Sequence, residues 1–161
     1  MVDWLIEVTH SFKCDPKTYF MTVAYFDKYL IGSSERGIVL TDANVHKIGI
    51  VSLFLASKFN DVHTLKSKLI IDKIAFGKHT LEELLVGEKE MLSMFDFVVH
   101  HTNPFDFHDT YIALLLHKLK VASQHNPQCA SMFAQYTQFI HEQLASMALF
   151  LVKMSMQCSV F

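Results

Sequence analysis

The chain has 161 residues, of which 51% are apolar and 19% charged, and its net charge is −2 with histidine neutral. This length suits one domain of ordinary size, or one domain and part of another. Nucleic-acid binders usually concentrate Lys and Arg on one face, so a chain whose single arginine is Arg36 is not expected to bind nucleic acid.

The composition also argues against a membrane protein and a secreted one. No apolar run reaches the ~18–20 residues that a membrane-spanning helix needs. Asp3 and Glu7 stand where a secretory signal peptide would be basic and then apolar. Three cysteines, Cys14, Cys129 and Cys158, are odd in number and widely spaced, so we expect free thiols in a reducing compartment.

Motifs that carry enzyme chemistry are missing from the sequence. There is no G-x-S-x-G, no phosphate-binding P-loop and no G-x-G-x-x-G. His100, His101 and His108 cluster, but without an H-x-x-x-H or H-E-x-x-H pairing, so they predict solvated or hydrogen-bonded histidines. We therefore expect no metal, no cofactor and no catalytic activity.

Local signals predict two helices at the start of the chain. The first covers residues 1–12, with an apolar stripe on one face. Asp15 and Pro16 provide an N-cap and a first helical position for the second helix, which we expect to end near Ile31. Residues 32–37 are predicted to form a polar loop.

The third predicted helix is apolar on every side. Thr41 or Asp42 is its N-cap, and it should end near Phe59. Residues 45–56 have no polar face, and a helix of this kind must be buried all round, so we expect it at the centre of an all-α domain. Lys58 then follows where the helix leaves the core; a cation favoured by the helix C-terminus is the simplest interpretation.

Two shorter helices and then two longer ones complete the pattern. A fourth helix is predicted over residues 64–76, with Leu65, Leu69 and Ile74 facing inward, and Gly77 as its C-terminal cap. Thr80 and Glu83 form a capping box that opens the fifth. After residue 104 a sixth helix is expected, then a break over residues 125–127 and a long helix over residues 128–157.

Four segments of this pattern together resemble the cyclin box. They are residues 1–8 (MVDWLIEV), 52–61 (SLFLASKFND), 87–97 (GEKEMLSMFDF) and 101–107 (HTNPFDF). The family pattern has VDWL-x-EV in its first helix, L-L-A-S-K-F/Y-E-E in its third, a fifth-helix Glu nine residues before a Phe, and a P-T-P-x-x-F-like entry into a second box. Here Glu88 stands nine residues before Phe97.

The resemblance implies an all-α fold with a five-helix N-terminal cyclin box over residues 1–100. Residues 101–161 would be a partial or diverged C-terminal cyclin-like region, holding the first helices of a second, incomplete domain. A cyclin is a regulatory subunit that binds and activates a cyclin-dependent Ser/Thr protein kinase in cell-cycle control, in the nucleus, the cytoplasm or both.

By the same resemblance, Lys58, Glu88, Phe59 and Asp61 would bind the kinase. In the family this Lys and Glu pair near the kinase-binding face and hydrogen-bond to the mobile C helix of the kinase and to adjacent backbone. Asn60 and Asp61 replace the two acidic residues that usually follow the aromatic. The loss of one acid puts the choice of kinase in doubt.

Trp4, Glu7 and His46 would form a docking patch for Arg-x-Leu motifs of substrates or inhibitors. The family has Trp and Glu at the first two positions but Gln where His46 stands. A tryptophan at such a position is also explained by core packing. Two other functions stay open: a cyclin-fold scaffold of a larger assembly without kinase activation, and a TFIIB-like transcription factor, which the low basic content disfavours.

Overall fold

The computed structural model describes residues 1–100, 102–123 and 127–157, and these ranges contain helices and no strands. This confirms the predicted all-α class. The chain divides into two compact units, Met1–Asn103 and Pro104–Phe161. The helices of the first unit build one core, which holds the large, fully buried side chains Leu5, Tyr19, Phe20, Tyr25, Ile50, Leu53, Ile70, Ile74, Met91 and Phe95.

Helix α1 (Val2–Ser11) turns sharply into helix α2 (Pro16–Glu35). Lys13 adopts a left-handed backbone conformation in the turn, with φ of 53°. The Asp15 carboxylate then accepts a 2.8 Å hydrogen bond from the Lys17 backbone amide, and Pro16 occupies the first helical position. The predicted start of α2 is therefore confirmed, with the Asp cap satisfying a backbone donor that has no partner inside the helix.

The predicted end of α2 was wrong. Instead of a loop from residue 32, the helix continues for one more turn to Glu35. Ser33 is fully buried, and a Cβ built on Gly32 would lie 2.9 Å from the Met94 Sδ atom. Packing against α5 holds this last turn in helical form, and the preference of Gly and Ser for loops is too weak to oppose it.

Helix α3 (Asp42–Asn60) is the buried helix that the sequence predicts. Thr41 caps it by accepting a hydrogen bond from the Asn44 backbone amide. Every residue from Ile48 to Ser57 is buried. Two small residues admit close neighbours on different sides: a Cβ on Gly49 would lie 2.9 Å from the Met1 Sδ atom of the α1 N-cap residue, and the Ser52 hydroxyl lies 3.8 Å from the Met91 sulfur of α5.

Helix α4 (Ser67–Leu69) is much shorter than predicted and continues as a π-helical turn, Ile70–Ile74. The wider turn changes which residues point inward: Leu65, Ile70 and Ile74 are buried, whereas Leu69, predicted to be buried, is half-buried. Gly77 ends the segment as predicted, with φ of 69° and its amide bonded to the Ile71 carbonyl.

Helix α5 (Leu81–Met94) opens with the predicted capping box. The Thr80 hydroxyl accepts from the Glu83 amide at 3.2 Å, and the Glu83 carboxylate accepts from the Thr80 amide at 2.8 Å. That backbone hydrogen bond lowers the pKa of the Glu83 carboxyl. The second unit contains helix α6 (Pro104–Ser123) and helix α7 (Pro127–Gln157), which pack against each other.

Candidate functional site

Lys58 and Glu88, 30 residues apart in sequence, form an ion pair at the surface of the first unit. The Lys58 Nζ lies 2.6 Å from the Glu88 Oε1. Lys58 comes from the last turn of α3, and Glu88 from the middle of α5. The Lys58 side chain is 44% exposed and that of Glu88 is 12% exposed, so the carboxylate is held inside the rim of the domain while the ammonium group faces solvent.

One aromatic ring contacts this pair, and exposed apolar residues lie near it on α3 and α5. The Lys58 Nζ lies 4.8 Å from the centroid of the Phe54 ring, one helical turn back on α3, which is cation–π geometry. Phe59, the next residue, is 49% exposed. On α5, Leu81 and Leu85 are exposed and share a face with Glu88, at positions i, i+4 and i+7. We call Lys58, Phe59, Leu81, Leu85 and Glu88 the α3–α5 face.

Asp61, which the resemblance assigns to kinase binding, is engaged inside the domain. Its Oδ1 accepts hydrogen bonds from the Thr18 hydroxyl at 2.6 Å and the Asp15 amide at 3.1 Å, and its Oδ2 accepts from the Ser57 hydroxyl at 2.7 Å. The Asn60 amide also donates to the Thr18 hydroxyl. This carboxylate therefore ties the end of α3 to the start of α2. A kinase contact by Asp61 stays a prediction.

The same carboxylate affects Cys14. Burial, followed by the charge of Asp61, raises the pKa of the Cys14 thiol to about 11, so the thiol is protonated at neutral pH and unreactive as a nucleophile. Cys14 and Cys129 are both free. Cys158 lies outside the described residues.

Trp4 and His46, from the predicted docking patch, are in contact. Their ring centroids are 5.1 Å apart, and both side chains are half-buried. Glu7 is exposed one turn after Trp4 on α1. The structure thus brings the aromatic and imidazole rings together and leaves the Glu7 carboxylate exposed to solvent one turn away.

His79 also belongs to this patch, although the sequence pattern did not reveal it. Its ring stacks on that of His46 with centroids 6.1 Å apart, and its Nδ1 lies 3.7 Å from the Glu83 carboxylate. Burial lowers the pKa of His46, and the nearby His79 and Lys78 lower it further. The one feature of the sequence that could have drawn attention to His79 is its position directly before Thr80, the N-cap of α5.

No group of three His, Cys, Asp or Glu side chains suited to a metal ion occurs among the described residues. In the predicted histidine cluster, the His108 Nε2 lies at hydrogen-bond distance, 2.9 Å, from the Ala145 carbonyl oxygen, and His101 lies outside the described residues. No helix in the described part of the chain is both long and apolar enough to cross a membrane.

Comparison with known proteins finds relatives for about two thirds of the chain. The family model "Cyclin, N-terminal domain" matches residues 1–100. Among similar proteins, the G2/mitotic-specific cyclin cdc13 of Schizosaccharomyces pombe is 33% identical over 107 residues, and the S-phase entry cyclin-5 of Saccharomyces cerevisiae 29% identical over 107 residues. The G2/mitotic-specific cyclin-B of Emericella nidulans is 31% identical over 110 residues.

Each of these three matches covers 66% of the chain, but only 21%, 23% and 21% of the respective relative. The chain therefore corresponds to a limited part of the length of the curated proteins that it matches.

Proposed function

The chain belongs to the cyclin family, and on that premise we propose that it binds and activates a cyclin-dependent Ser/Thr protein kinase as a non-catalytic regulatory subunit. The observation that carries the proposal is the Lys58–Glu88 ion pair on the α3–α5 face. The setting that we propose is cell-cycle control, in the nucleus, the cytoplasm or both, because the similar proteins are named as mitotic and S-phase cyclins.

The pair is well placed for recognition and poorly placed for stability. An ion pair with a substantially exposed partner contributes only about 0.2–1 kcal/mol to folding. The 2.6 Å hydrogen bond leaves Lys58 two further donors and Glu88 a second oxygen. These groups are available for charge-assisted bonds to a helix end and to backbone groups of a partner.

Affinity would come mainly from the apolar residues beside the pair. Phe59, Leu81 and Leu85 are each about half exposed, and desolvated aromatic and aliphatic anchors dominate binding energy at most interfaces. The two charges would fix the register of the kinase helix. Holding that helix in its active position shifts the kinase towards its active state without chemistry by the cyclin itself.

Kinase activation is tested by co-purification with a panel of cyclin-dependent kinases, scored by phosphorylation of a generic substrate. Replacing both charges, Lys58→Ala with Glu88→Ala, should weaken the complex by ~2–5 kcal/mol because kinase groups are left without partners. A second variant, Lys58→Glu with Glu88→Lys, keeps an ion pair within the domain but reverses the charges offered to the kinase. It distinguishes loss of the kinase contacts from loss of the ion pair itself.

Both variants should lose kinase stimulation while remaining folded, with a cooperative thermal unfolding transition. A folded double-alanine variant with unchanged affinity would contradict the assignment of these residues. A complex without stimulation would favour the scaffold function, and failure of the well-folded protein to bind any kinase would do so more strongly.

A docking role for Trp4, Glu7 and His46 is a second proposal, supported by the contact between the Trp4 and His46 rings. Trp4→Ala should raise KM about tenfold, or about 1.4 kcal/mol, for a substrate with an Arg-x-Leu motif. A substrate without the motif should be unaffected. If circular dichroism shows the variant to be unfolded, the tryptophan is a core residue and the docking role fails.

A further inference from the structure

A cleft lies between the end of α2, the connection that follows it, the first half of α3 and α5. Its volume is about 160 Å³, and its apolar wall consists of Tyr29, Ile38, Leu40, Ile48, Val51 and Met91. Apolar cavities of about 150 Å³ take up a benzene-sized group. The cleft is thus large enough for one aliphatic or aromatic side chain.

The floor of the cleft is buried and its mouth is open. Ile48, Val51 and Met91 are 7%, 2% and 1% exposed, respectively. A Cβ on Gly87, which also lines the cleft, would lie 2.8 Å from the Val51 Cγ2, so α5 lies directly on α3 there. At the mouth, Ile38 is 46% exposed.

Charged residues around the mouth are mostly basic. Lys47 and Glu90 line the cleft itself. A shallower groove continues from it and shares Tyr29, Ile38 and Glu90, while adding Arg36 and Lys89. Three cations against one carboxylate leave an excess of two positive charges.

The rim cations are not held in ion pairs with other described residues, although the charge of Lys47 also acts on the nearby Glu83 carboxyl. None of Arg36, Lys47 and Lys89 forms an ion pair within the described ranges. Burial raises the pKa of the Tyr29 hydroxyl, the charge of Glu90 raises it further, and the charge of Arg36 lowers it. Arg36 and Glu90 therefore both lie near the Tyr29 side chain in the cleft. The Asn44 side chain also lines the cleft and offers an amide for hydrogen bonds to a peptide backbone.

We propose that this cleft binds a short segment of a partner protein, in which one apolar side chain fills the cavity and flanking acidic residues lie against Arg36, Lys47 and Lys89. The apolar wall supplies the anchor pocket, and the basic rim selects the sign of the flanking charge. The site shares no residue with the α3–α5 face or the Trp4 patch, although Lys89 borders Leu81 and Leu85. The proposal therefore does not depend on kinase activation.

The test is a selection of random heptapeptides, displayed on phage, against the whole chain. Peptides that also bind the Ile38→Asp variant are removed, because those peptides use another surface. The remaining sequences are expected to carry one Leu, Ile, Met or Phe flanked by two or more Asp or Glu. Synthetic copies should bind at least tenfold more weakly to Lys47→Glu, and more weakly in 500 mM than in 150 mM salt.

Val39→Asp is the matched control, since Val39 is 83% exposed, follows Ile38 and does not line the cleft. It should leave peptide binding within twofold of the unmodified chain. Three results would overturn the proposal: no peptides remain after removal, the remaining peptides lack an acidic excess, or Val39→Asp weakens binding as much as Ile38→Asp does. Thermal unfolding of each variant confirms that it is folded.

Discussion

Two roles can be assigned to Asp61: kinase binding, from the family resemblance, and stabilisation of the domain, from its hydrogen bonds. The resemblance to cyclins implies a kinase contact for Asp61, which stays a prediction. In the structure, its carboxylate accepts three hydrogen bonds, from Thr18, Ser57 and the Asp15 amide. The Ser57 hydroxyl in turn accepts from the Leu65 amide. One carboxylate, directly and through the Ser57 hydroxyl, thus joins the start of α2, the end of α3 and the segment before α4.

We predict that Asp61→Asn destabilises the chain by about 1.5–3 kcal/mol, the usual worth of hydrogen bonds to a charged group. The amide has the same shape but only one oxygen, so the Ser57 or the Thr18 hydroxyl loses its acceptor. Urea unfolding followed by circular dichroism measures the change. Asp72→Asn, on an exposed residue of the π-helical turn, is the control, and equal midpoints for the two variants would show that the network is not structural.

At the scale of the element, close helix contacts depend on what faces each glycine. Gly87 brings α5 against α3, where a Cβ would meet the branched, buried Val51 at 2.8 Å. Gly32 brings α2 against α5, where a Cβ would meet the Met94 sulfur at 2.9 Å. Val51 cannot rotate away without disturbing the core, whereas a methionine side chain adapts readily.

Gly87→Ala should therefore destabilise the chain by about 1–2 kcal/mol, because overpacking costs more than the gain of nearly 1 kcal/mol in helix propensity. Gly32→Ala should be neutral or stabilise the chain by up to about 1 kcal/mol. Urea unfolding of the pair provides the comparison. If both variants shift in the same direction by the same amount, helix propensity alone decides and the packing argument is wrong.

At the scale of the whole molecule, the two units differ in how much core they contain. The buried hydrophobic residues of the described chain lie almost entirely in Met1–Asn103, and Ile112 is the one found beyond it. The exposed large hydrophobic residues in the described part of the second unit are Phe107, Tyr111, Leu114, Leu115, Leu119, Val121, Met132, Tyr136, Phe139, Met147, Phe150, Leu151 and Met154. A pair of helices with so little buried surface has little to offset its loss of conformational entropy.

Residues 1–103 are accordingly predicted to fold alone, with a cooperative urea transition close to that of the whole chain, whereas residues 104–161 alone should show no cooperative transition. Circular dichroism of the two fragments is the measurement. The tail of the first fragment is anchored, since the Tyr25 hydroxyl donates to the Val99 carbonyl at 2.6 Å and Asn103 is buried. A first fragment that unfolds without cooperativity would refute the independence of this unit.

The sequence by itself determined the features that arise within one or two helical turns. The Asp15 and Thr80 caps, the glycine cap at Gly77 and the uniformly apolar α3 all follow from neighbouring residues. For the cap of α3 the sequence left Thr41 and Asp42 open, and the structure identifies Thr41. It also indicated Lys58 and Glu88, though only through resemblance to a family, because nothing local to either residue shows that they meet.

Tertiary structure alone decided the rest. The last turn of α2, the π-helical turn after Leu69, the internal role of Asp61 and the stacking of His79 on His46 depend on residues far apart in sequence. The physical reason is one of magnitude. A local preference for loop or helix is worth less than about 1 kcal/mol per residue, whereas burying a side chain or hydrogen-bonding a carboxylate is worth more. Where the two conflict, packing decides the conformation.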